Sequence, residues 1–166
     1  MSGLSHIAFG LVAFGAVPVG AQTTGSISPL EIFEGRFAGK GSLARAGGAP
    51  RTLDCDLTGR ASGDRYSLTG TCHASIIVSA NVSIEVRCIG SRCSGSFRDG
   101  RGTVSSLVGE RRGETLSFLA TETAESVRPD PPAHMTLTRR REGIALSVRN
   151  TEPTKGSAIS LELRKQ

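Results

Sequence analysis

Tryptophan is absent from the 166 residues, tyrosine occurs once, and aromatic side chains make up only 4% of the chain. So few rings speak against a surface that stacks nucleic-acid bases or sugars, because each stacked base needs an aromatic platform. Histidine is also scarce. Beyond the first 21 residues only His73 and His134 remain, and neither stands in a nucleophile motif such as G-x-S-x-G. The C-x2-C ligand pairs typical of structural zinc are missing, so no metal or other cofactor is expected. Asp54 and Asp56 flank Cys55 in "LDCDL", an arrangement that turns both carboxylates to solvent rather than into an acid-base pair. These gaps together predict a protein that is not an enzyme. No segment sustains a 3.6-residue period, which leaves little room for amphipathic helices.

The longest apolar run lies at the start, where residues 7 to 20 carry no charge and only small or apolar side chains, His6 preceding them. A membrane-spanning helix needs roughly 20 such residues, and Gly10, Gly15 and Pro18 suit one poorly. Val19-Gly20-Ala21 supplies small side chains where a signal peptidase reads. Residues 1–21 are therefore expected to be a cleaved signal peptide, with no transmembrane anchor afterwards, 22–31 a flexible segment, and 32–166 one domain. The protein is expected in the periplasm or secreted. All charge follows the leader, so the mature chain keeps the formal net charge of +5. That balance favours anionic partners without selecting one.

In "ASIIVSANVSIEVRC" the residues Ala74, Ile76, Val78, Ala80, Val82, Ile84, Val86 and Cys88 occupy even positions, while the odd positions are polar except for Ile77. A period of two over this length marks a long strand with one buried face, in an antiparallel sheet. The same pattern predicts strands near Phe33–Leu43, Arg51–Thr58, Arg65–Cys72, Ile76–Cys88, Cys93–Asp99, Gly102–Gly109, Glu114–Thr121, His134–Arg139, Gly143–Arg149 and Ala158–Arg164. Between them stand turn-rich stretches such as "ASGD", "IGSR", "DGRG" and "RREG". About ten sequential strands joined by short turns predict an all-β, antiparallel up-and-down meander closed into a small barrel of about 8–10 strands, with a β-sandwich as the alternative.

In an oxidising compartment the four cysteines read as two disulfides. If "ASGD" turns the second strand into the third, Cys55 comes near Cys72 across the hairpin, and Cys88 and Cys93 flank "IGSR". Pairing Cys55 with Cys72 and Cys88 with Cys93 needs only neighbouring strands, and by loop closure contributes about 3 and about 2 kcal/mol. The bridges fix a register that a one-residue slip would invert.

Alternate turns of a meander emerge at one end. "ASGD", "IGSR", "ERRGE" and "RREG" then share a rim that gathers Arg60, Arg65, Arg92, Arg111, Arg112, Arg140 and Arg141. Guanidinium groups there could hold carboxylate or phosphate groups in pairs of hydrogen bonds. Barrels of this size are just filled by side chains or hold one small ligand. Small inward positions such as Gly70, Ala74, Ala80, Gly95 and Ala120 leave space for a cavity. Candidate ligand-binding residues are therefore Arg92, Arg111, Arg112, Arg140 and Arg141 at the mouth, with Tyr66, Phe97 and Phe118 inside.

"FEGRFAGKG", residues 33 to 41, followed by the ladder of alternating strands, resembles the opening of calycin-type barrels such as lipocalins. Gly35-Arg36-Phe37 stands where that family has G-x-W. The resemblance implies a binding function without catalysis. The expected function is an exported, non-catalytic binding protein for a small amphipathic or anionic envelope ligand, with no role for nucleic acid. The alternative is an envelope protein-interaction module, or an inhibitor of a protease or lysozyme, working through surface loops such as Glu122–Ala133.

Overall fold

Alternation along the chain becomes pairing in space. In the computed structural model, which describes residues 28–123, 130–152 and 154–166, ten strands follow one another. They are β1 (Gly35–Arg45), β2 (Arg51–Ser62), β3 (Arg65–Ser75), β4 (Val78–Ile89), β5 (Arg92–Arg98), β6 (Val104–Arg112), β7 (Thr115–Glu122), β8 (Ala133–Arg140), β9 (Gly143–Asn150) and β10 (Ser157–Lys165). Each pairs antiparallel with its sequence neighbours, and β1 pairs with β10, from Phe37 opposite Lys165 to Arg45 opposite Ser157. The meander is thus a closed barrel with no free edge to recruit another strand. The expected signal peptide, the start at Gln22, and residues 124–129 of the β7–β8 connection lie outside the described residues. Among the described residues no helix is long and apolar enough to cross a membrane.

Tight turns at Gly63, Gly90 and Gly113 join β2–β3, β4–β5 and β6–β7, each glycine at a positive φ between 55° and 62°. Both disulfides form as paired from the sequence. Cys55 lies opposite Cys72 in the β2–β3 register and Cys88 opposite Cys93 in the β4–β5 register, and all four side chains are buried.

The core sits toward one end. On β4 the inward residues grade from Ala80 and Val82, partly buried, to Ile84, Val86 and Cys88, fully buried. At the buried end Phe33 was expected to start a strand; it belongs instead to a single 3-10 turn, Glu31–Phe33. Leu30 and Phe33 insert under the barrel and are shielded from solvent, Phe33 completely. The segment expected to be flexible to residue 31 therefore contributes structure from Ser28 onward. The Ser28 Oγ donates to the Gly63 carbonyl and accepts from the Leu30 N–H, and the Ser28 N–H donates to the Glu31 carboxylate at 3.1 Å. These bonds tie the turn to the β2–β3 connection.

Two expectations about inward positions are corrected. The even row does not run unbroken from Ala74, because the chain turns at Ile76-Ile77 and β4 begins at Val78. Gly70 and Gly95 make no room for the cavity and do not line it. A Cβ added to Gly70 would meet the Asp56 carbonyl oxygen, and one added to Gly95 would meet that of Glu85. Each glycine permits a close approach of the preceding strand's backbone, so its smallness serves wall curvature.

Candidate functional site

At the end away from the 3-10 turn the barrel interior is not filled. A cavity of about 270 Å³ lies between β1–β5 and β9–β10, walled by Leu53, Leu57, Leu68, Ile84, Leu146 and Leu161, with Ala74 and Ala80 as its small residues. The alternation that buries these leucines carries on to the strand ends. On β1 the inward series Phe37, Leu43 ends at Arg45, and on β2 the series Cys55, Leu53 begins at Arg51. Arg51 stands opposite Leu43 in register, and both arginines border the cavity. Among the described residues neither takes part in an ion pair.

Several other charges at this opening engage one another. Asp99 accepts from the Arg101 Nε at 2.9 Å and from the backbone N–H groups of Arg101 and Thr103, both at 2.9 Å. Arg101 also donates to Asp130 at 3.1 Å. The Asp99 hydrogen bond, then that of Asp130, raises the Arg101 pKa above its ordinary value. Glu152 pairs with Lys155 at 2.6 Å, and the Glu122 carboxylate accepts the Asp130 N–H at 2.7 Å. Arg45 and Arg51 are thus cations at the opening that no carboxylate among the described residues pairs with, while Asp99 and Asp130 share Arg101 and Glu122 accepts a backbone N–H.

The sequence places an arginine-rich rim at one end, and that rim exists, since the four turns it was drawn from leave the barrel together. It is the end filled by Leu30 and Phe33, not the mouth of the cavity. Arg92, Arg112, Arg140 and Arg141 are exposed there; Arg112 pairs with Glu110 at 2.7 Å. Arg111 is half-buried, with an Nε that has no hydrogen-bond partner among the described residues. Tyr66 is buried against Phe33, ring centroids 5.8 Å apart, and donates to its carbonyl at 3.2 Å. Phe118 is buried in the core. Of the eight candidate ligand-binding residues, the structure brings only Phe97 to the cavity wall. Arg45 and Arg51 were missed, although carrying the period of two to the strand ends turns both inward.

For other chemistry, the four cysteines are consumed as disulfides, and no group of three or more potential metal ligands occurs among the described residues. Asp54 and Asp56 are both exposed. Comparison of the chain with protein-family models and with curated proteins found no match.

Proposed function

We propose that this is an exported, non-catalytic binding protein whose barrel takes a small amphipathic anion, tail inward and acidic head between Arg45 and Arg51. The observation that carries this reading is the joining of an apolar cavity to two inward-series arginines at its opening that have no ion pair among the described residues. A volume of about 270 Å³ falls just below the range of about 300–1,000 Å³ usual for drug-sized ligands, so a single short acyl chain fits better than a whole lipid. A guanidinium can clasp a carboxylate or phosphate with two parallel hydrogen bonds, which orients the head while the tail leaves water. The lipocalin-like resemblance of the sequence supports the same reading at the level of architecture alone. Two disulfides support an oxidising compartment, periplasmic or extracellular.

Native mass spectrometry of the protein purified from its own host tests the proposal. Expected is an added mass that is released as an anion on denaturation. A ligand-free spectrum that stays so after addition of medium-chain fatty acids would overturn it.

A further inference from the structure

The β3–β4 turn carries the most conspicuous apolar exposure of the described chain. Ile76 is 104% exposed, Ile77 92% and Val78 46%. Three adjacent apolar side chains at a hairpin tip gain nothing from folding and cost solubility, so their place in water calls for a surface that covers them. Their position narrows what that surface is. The tip stands at the open end, and Val78 belongs both to the tip and to the cavity wall. Among the described residues Arg45 and Arg51 at the same end take part in no ion pair, while Asp99 and Asp130 share Arg101, Glu152 pairs with Lys155, and the Glu122 carboxylate accepts the Asp130 N–H.

An apolar point beside cationic side chains matches the interface of an anionic lipid bilayer, which offers hydrocarbon just beneath a negatively charged layer. We infer that the open end docks on an anionic membrane, with Ile76 and Ile77 inserted below the headgroups and Arg45 and Arg51 among them. This goes beyond ligand binding in the cavity and does not require it. It does supply a route, because docking would bring the opening against a source of amphipathic anions.

Vesicles of phosphatidylcholine alone, and of phosphatidylcholine with phosphatidylglycerol, separate the terms. The protein is expected to co-sediment with the anionic vesicles, more weakly at high salt, and little with the neutral ones. Ile76→Ser with Ile77→Ser should lower the partition at least about tenfold, given the apolar area withdrawn. Arg45→Ser with Arg51→Ser should lower it by about fivefold per charge. Since the chain lacks tryptophan, Ile77→Trp is a sole reporter, and its emission should shift to the blue on anionic vesicles. Absence of sedimentation and of the shift would overturn the inference and assign the tip to a protein partner, as would unchanged partition of the double isoleucine variant. Fatty-acid binding by that variant in detergent-free buffer reports on the cavity separately, so either reading can fail alone.

Discussion

Tyr66 is the single tyrosine of the chain, and its ring and hydroxyl lie beneath the turn that closes the barrel. Burial disfavours the phenolate and pushes this group above its ordinary value near 10. Below about pH 10 both folded and unfolded chains hold the proton, and the group's contribution is fully present. As the pH rises further the unfolded chain releases its proton and the folded one does not, so stability falls by about 1.4 kcal/mol per pH unit. Urea midpoints between about pH 8 and about pH 11 should show that decline, and Tyr66→Phe should flatten it while costing about 1 kcal/mol at neutral pH. A folded protein whose phenolate absorbance rises at the ordinary value would contradict the burial. Residues of this kind were legible, because Tyr66 falls on the inward series of β3. Arg45 and Arg51 obey the same alternation, yet they sit where strand passes into turn, and charge in a turn reads as solvated whichever way the side chain points.

At the scale of elements, the strands and both disulfides could be read because sheet periodicity is local and cross-strand bridging needs only neighbours. Two features escaped for one physical reason: an apolar residue looks the same in a strand, a plug or a tip. Phe33 continues the apolar pattern of β1 but is turned under the barrel, where the only advance signal was the Ser28 to Glu31 spacing of a helix start. Ile76 continues the pattern of β4 but sits in a turn that contains neither glycine nor proline. The 3-10 turn is predicted to be structural. Phe33→Ala removes a fully buried ring from the core and should lower unfolding free energy by about 3–5 kcal/mol in chemical denaturation. A loss below about 1 kcal/mol would show that the turn is peripheral to the core and does not close that end.

The whole molecule is a barrel with two unlike ends. Both ends of a meander collect turns, and the pattern of turns says which side chains share a rim without saying which rim is stoppered. That was decided by a short segment ahead of β1, which fills the arginine-rich end and leaves the cavity open at the other. The proposed binding site is accordingly Arg45, Arg51 and the leucine-lined wall. Ala80 faces that cavity from β4, so Ala80→Phe should fill it with the barrel intact. The most direct test is calorimetric titration of a medium-chain fatty acid into the wild type, into Ala80→Phe, and into Arg45→Ser with Arg51→Ser. The proposed site predicts binding by the wild type, none by the filled variant, and affinity lowered by about fivefold per arginine, roughly 1 kcal/mol each. Undiminished binding by a folded Ala80→Phe protein would contradict it.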